Sequence, residues 1–172
     1  MPCSYGVKTQ GQRFVYDGND TIYSVKTAAT RYFAKYSISG NAWTSLTAPP
    51  ADGSSTSSPL IFDGSDSIYL LRGAGQTSFY KYSIVGNSWS SLTAAPVAIN
   101  AGQSLVWDKG NYFYLPVGNS IGYYRYSISG NSWDLMTGAP NTIGTSENDA
   151  WYDGTNLFIK FAATVLKIFT AI

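Results

Sequence analysis

The stretch "KYSIVGNSWSSLTAAP", residues 81–96, decides how this chain folds. Two near copies accompany it, "KYSISGNAWTSLTAPP" at 35–50 and "RYSISGNSWDLMTGAP" at 125–140. In each copy a tyrosine is followed at fixed offsets by a Gly-Asn pair, a tryptophan and a proline. Alternation makes the first half a strand, with Tyr80 and Tyr82 on one face and Phe79 and Lys81 on the other. Gly86-Asn87 turns the chain, and "SWSSL" (88–92) returns as the next strand. Trp43, Trp89 and Trp133 lie 46 and 44 residues apart.

A second marker precedes each tryptophan and keeps nearly the same period. It reads "FVYDGNDTIYSV" (14–25), "LIFDGSDSIYLL" (60–71) and "LVWDKGNYFYLP" (105–116), and recurs as "AWYDGTNLFIKF" (150–161). Asp17-Gly18, Asp63-Gly64 and Asp153-Gly154, with Asp108 and Gly110 in the third unit, are hairpin-turn residues. They suit positive φ, and the spacing calls for a bulged or four-residue loop. Self-similarity at about 45 residues marks a propeller or a solenoid. The single domain, 1–172, therefore divides into units at about 12–50, 58–96 and 103–140, with a partial unit at 148–172. The serine-rich "PPADGSSTSSP" (49–59) has the length of the other inter-unit connections. "LFIKFAATVLKIFTAI" at the C-terminal end alternates as strands do. No window shows a sustained helical period.

Tyr82, Asn87, Trp89, Leu92 and Pro96 stand at the offsets of the second half of a kelch repeat. So do Tyr36, Asn41, Trp43, Leu46 and Pro50, and also Tyr126, Asn131, Trp133 and Pro140, with Met136 in the leucine position. The chain thus resembles kelch-type β-propellers over nearly its whole length, although the family's paired glycines are missing. The resemblance implies an all-β fold of about four blades, each a four-stranded antiparallel sheet. It makes the repeated line the outer hairpin of a blade, with its tryptophan between neighbouring blades. Because the fourth unit stops near its third strand, residues 1–11, through "CSYGVK", are expected to supply a closing strand. The alternative is an open array completed by a partner chain.

Composition narrows the function. Charged residues are 12% and aromatic residues 16% of the chain, a texture of half-buried pleated surface. A net charge of +1 offers no field for a phosphate backbone, so nucleic acid is not an expected partner. Histidine is absent, which removes the commonest general base and metal ligand. A single cysteine, Cys3, forms neither an internal disulfide nor a thiolate cluster. No stretch has the length of a membrane span, and the N-terminal sequence lacks the apolar core of a secretory signal. The turn aspartates do not have the spaced acids of a calcium loop, so they read as bonding their own backbone. Sialidase-type Asp-boxes are a weak match, since Ser39, Val85 and Ser129 replace the aspartate. Asp134, Glu147 and Asp149 are the acids outside the pattern.

These readings give no catalytic, cofactor or metal site, and the expectation is not an enzyme. Tyr112, Tyr114, Tyr123 and Tyr124 are a candidate exposed binding surface. The expected role is a structural, protein-interacting component of a larger assembly, such as a tail or capsid-decoration protein of a phage virion. Its partners would be copies of itself or other subunits, and its location a virion or an extracellular surface. The alternative is a carbohydrate-binding propeller that stacks loop aromatics on a glycan.

Overall fold

The computed structural model describes residues 12–26, 31–50, 58–100, 103–117, 122–136, 150–161 and 164–170, with side chains up to residue 158. Among the described residues there are no helices, and the strands form four separate antiparallel sheets. The first blade holds β1 (Gln12–Tyr16), β2 (Thr21–Lys26), β3 (Tyr32–Ser37) and β4 (Ala42–Leu46). The second holds β5 (Leu60–Phe62), β6 (Ser67–Leu71), β7 (Phe79–Ser83) and β8 (Ser88–Leu92). The third holds β9 (Val106–Trp107), β10 (Tyr112–Pro116), β11 (Tyr123–Ser127) and β12 (Ser132–Met136). The fourth is a three-stranded sheet of β13 (Ala150–Tyr152), β14 (Asn156–Phe161) and β15 (Thr164–Thr170). Strands follow one another across every sheet, so each blade is a meander of local hairpins.

First strands of adjacent blades approach one another, β1 with β5 and β9 with β13, and place these strands on the inner side. Among the described residues the sheets do not close into a ring. The expected closing strand, residues 1–11, lies outside the described residues, as do Glu147, Asp149 and residues 51–57 of the first connection.

The second and third blades have two apolar faces, because they are packed from both sides. The face towards the following blade is called outgoing here, and the face towards the preceding blade incoming. Val15, Tyr23, Val25 and Phe33 on the outgoing face of the first blade meet Leu60, Ile68, Leu70, Tyr80 and Tyr82 on the second. Ile61, Tyr69, Leu71 and Phe79 leave the second blade and meet Leu105, Phe113, Leu115 and Tyr126 on the third. Val106, Tyr114 and Tyr123 then meet Ala150, Tyr152 and Leu157 of the fourth. Period-two alternation sends neighbouring residues of one strand to different interfaces. This is why β6, "SIYLL", is buried throughout.

Candidate functional site

The residues singled out by the repeat come together at one place, the corner where an outer hairpin meets the preceding blade. Asn87 has φ 43°, and Asn41 and Asn131 have φ 45° and 47°. The asparagine, and not the glycine before it, therefore takes the left-handed position of the turn, which asparagine tolerates better than most residues. The glycine is needed for closeness instead. A Cβ on Gly40 would stand 2.9 Å from the Ser37 hydroxyl oxygen, which accepts the Gly40 N–H at 3.0 Å.

Each asparagine side chain then locks its own hairpin. The hydroxyls of Tyr36, Tyr82 and Tyr126 donate to Oδ1 of Asn41, Asn87 and Asn131 at 2.6, 2.7 and 2.7 Å. The same Oδ1 reaches across to the preceding blade in two cases. Thr47 N–H donates to Asn87 at 3.1 Å, and Thr93 N–H donates to Asn131 at 2.9 Å. The tryptophan completes the latch from beside it: Trp89 Nε1–H donates to the Thr47 carbonyl at 2.7 Å, and Trp133 to the Thr93 carbonyl at 3.0 Å. An aromatic ring from the preceding blade is held in the angle between tyrosine and tryptophan. Phe33 lies 4.7 Å from Tyr82 and 5.1 Å from Trp89, and Phe79 lies 4.9 Å from Tyr126 and 5.6 Å from Trp133. Tyr36 and Trp43 pack in the same way, with centroids 5.1 Å apart. Leu46, Leu92 and Met136 return to the outgoing faces, where they pack against the three interfaces. Burial raises the hydroxyl pKa of Tyr69, Tyr82, Tyr123 and Tyr126 from 10.0 to about 12. Of these, Tyr82 and Tyr126 are the hairpin donors to Asn87 and Asn131.

The aspartate turns are equally structural. Asp17 Oδ1 accepts the N–H groups of Asn19 and Thr21 at 2.9 and 3.0 Å, and Asp63 repeats this with Ser65 and Ser67 at 3.0 Å each. Asp108 accepts from Gly110 and Tyr112 at 2.7 and 3.1 Å, and Asp153 from Thr155 and Asn156 at 2.8 and 2.7 Å. Gly18, Gly64 and Gly154 have positive φ, but in the third unit the left-handed residue is Lys109, at 62°, and not Gly110. The extra residue between aspartate and glycine shifts the glycine one place past the position that needs it. Burial tends to raise the Asp17 carboxyl pKa, but the two backbone N–H bonds outweigh it and lower the value. Among the described residues no group of three or more His, Cys, Asp or Glu converges as metal ligands would.

The four tyrosines considered as an exposed surface do not form one. Tyr123 is buried between the third and fourth blades, and Tyr114 packs against it with centroids 6.3 Å apart. Tyr124 packs on the opposite interface, and Tyr112 lies under the Arg125 guanidinium at 4.4 Å. The reason is that both faces of this blade are covered, so alternation exposes neither set. The large apolar side chains that do stand exposed include Phe14, Tyr16 and Trp151.

No family model matches this sequence, and no curated protein matches it. Solved structures do. YjhT, a β-propeller-like fold, superposes with a TM-score of 0.73 at 16% identity, covering 96% of this chain and 66% of that one. A structural-genomics protein of unknown function from Bacteroides thetaiotaomicron superposes with a TM-score of 0.59 at 15% identity. There the match covers 95% of this chain and 42% of the other. The chain thus spans a little under two thirds of the length of the first neighbour and under half of the second. At such identities the likeness is one of fold: an all-β, propeller-like array of antiparallel sheets.

Sequence reasoning missed two sets of residues at the latch. Thr47 and Thr93 act chiefly through their main chain, which leaves little mark on residue choice, although a threonine does follow both repeat leucines. Asp20, Asp66 and Asn111 fasten the inner turn to the outer hairpin. Asp20 accepts from the Ser37 hydroxyl at 2.8 Å and the Ser39 N–H at 2.7 Å, and Asp66 from the Ser83 hydroxyl at 2.9 Å and the Val85 N–H at 2.8 Å. Asn111 takes the Ser129 N–H at 2.9 Å and donates to the Ser127 hydroxyl oxygen at 3.1 Å. The signal was a polar residue three places after each turn aspartate.

Proposed function

We propose that this protein is a non-enzymatic structural and interaction module of the kelch type, acting as a subunit of a larger assembly. The observation that carries the proposal is the placement of its chemistry-bearing side chains. Turn aspartates hold their own main chain, repeat asparagines and the indoles of Trp89 and Trp133 latch blades, and buried tyrosines are kept protonated. The exposed large apolar side chains are Phe14 and Tyr16 on the first blade and Trp151 on the fourth, with Ile38, Val85 and Leu135 on the outer hairpins. Exposed rings of this size at the ends of a repeat array are the chemistry of protein contact. The kelch assignment is supported by the Tyr-Asn-Trp hairpin, three times in register. The narrower reading, an accessory subunit of a virion, is supported by composition: few charges, many serines, threonines and tyrosines, and no histidine.

Cross-linking mass spectrometry on the native assembly tests the proposal, alongside a glycan array and a panel of hydrolase substrates. Expected are protein cross-links around β1 and β13 and silence on the other two. Specific glycan binding that is lost when exposed aromatics are replaced, or measurable hydrolysis, would overturn it.

A further inference from the structure

The three internal interfaces obey one pairing rule. On the outgoing side, an aliphatic residue of the first strand stands in register with a tyrosine of the second: Val15 with Tyr23, Ile61 with Tyr69, Val106 with Tyr114. On the incoming side, two residues in or next to the first strand flank one position: Leu60 and Phe62, Leu105 and Trp107, Ala150 and Tyr152. Each outgoing pair packs in the same cluster as the next incoming pair.

The fourth and first blades carry exposed rings on the outgoing and incoming positions, and on the fourth two rings stand where the internal interfaces pair an aliphatic residue with a tyrosine. Trp151 and Phe158 hold the outgoing positions of the fourth blade, in register, with rings stacked 5.1 Å apart at an interplanar angle of 5°. Phe14 and Tyr16 hold the incoming positions of the first blade, opposite Ser24 and Ile22. Phe14 is 57% exposed, Tyr16 51% and Trp151 41%. Among the described residues these faces do not meet, and the first strands that approach one another are β1 with β5 and β9 with β13. None of these positions carries a charge, and a net charge of +1 sets little repulsion between copies.

We infer that a second copy of this chain docks head to tail, with the Trp151–Phe158 face of one copy on the Phe14–Tyr16 face of the next. The inference rests on the interaction-module reading and names its partner. The contact is heterologous, so it either closes a ring of copies or continues as a growing array.

The test is complementation between two variants of the full chain, read by light scattering after size exclusion over a concentration series. One variant, Phe14→Glu with Tyr16→Glu, blocks the incoming face. The other, Trp151→Glu, blocks the outgoing face. The wild-type chain is expected to run at twice the monomer mass or more, and each variant alone at the monomer mass. Mixed, the two variants should give a one-to-one dimer, because each keeps the face the other lacks. Should a glutamate variant unfold, as near-ultraviolet dichroism would reveal, Tyr16→Ser and Trp151→Ser provide the same complementation. A wild-type chain that stays monomeric throughout, or a folded variant mixture that does, overturns the inference. Cross-linking of the native assembly reports separately on the module reading, so either can fail while the other stands.

Discussion

The incoming faces of the first and second blades share a backbone plan and differ in what stands on it. In the second blade, Leu60, Phe62, Ile68, Leu70 and Tyr80 pack into the first interface. At the matching register positions the first blade carries Phe14, Tyr16, Ile22, Ser24 and Ala34. Ser24 is buried and its hydroxyl oxygen accepts the Gln12 side-chain amide at 3.0 Å, a polar pair where the second blade has leucine. The hairpin residues, by contrast, are the same in both: Tyr36, Asn41 and Trp43 repeat as Tyr82, Asn87 and Trp89. Residues of the outer hairpin follow the repeat even where, as at Asn87 and Trp89, they also reach the preceding blade, whereas residues on the blade faces follow the neighbour they meet.

The widest test of that contrast is truncation inside an interface. Phe79→Ala removes the ring held between Tyr126 and Trp133 and is expected to cost about 3–5 kcal/mol. Urea melts would measure it, and a cost under about 1 kcal/mol would mean that the ring is not an anchor. A smaller effect separates the two hairpins directly. Asn87→Ala removes the partner of both the Tyr82 hydroxyl and the exposed Thr47 N–H, at roughly 0.5–1.5 kcal/mol for each hydrogen bond lost. The matching Asn41→Ala change touches the Tyr36 hydroxyl, and should shift the thermal midpoint less. Equal shifts would break the distinction between a latch and a turn.

Alkali probes the interfaces without mutation. Tyr69, Tyr82, Tyr123 and Tyr126 hold their protons to about 12 when folded, against 10.0 for a free phenol. A raised folded pKa adds stability below the unfolded value and loses it as pH rises towards the folded one. Stability should therefore fall between about pH 10 and 12, with these phenols ionising together with unfolding in an absorbance titration. Smooth early ionisation of all the tyrosines would contradict their burial. Acid gives the smallest effect. The Val85 N–H and the Ser83 hydroxyl hold the Asp66 carboxyl below its usual 3.8, so its contribution is present above that value and lost as pH falls through the folded pKa. Asp66→Asn, which copies Asn111 of the third blade, should flatten the acid limb of a melting curve below about pH 4; an unchanged limb would remove Asp66 from the account.

How far the sequence could be read depends on which atoms carry a contact. The Tyr-Asn-Trp hairpin was legible because side chains make it, and side chains leave a period. The partners on the preceding blade were not, because Thr47 offers its main-chain N–H and carbonyl, which every residue but proline has. Tyr112, Tyr114, Tyr123 and Tyr124 were misread because alternation separates two faces without saying whether one of them meets water. In a sheet covered on both sides neither does. Lys109 shows a third limit: the turn survives while the glycine slips by one place. An open array was foreseen as the alternative to a closed one, and the residues on its end faces were visible only once register placed Phe14 beside Ser24 and Trp151 beside Phe158.

The meander within each blade has a kinetic consequence. Every hairpin joins residues close in sequence, so a blade can nucleate early and alone, while each latch spans about one repeat, as from Trp89 back to Thr47. Growth of order along such a chain resembles a zipper started in the middle. Amide exchange should be slowest on β6 and β7, which have a neighbour on either side, and quicken towards β1 and β15, where the zipper has its loose ends.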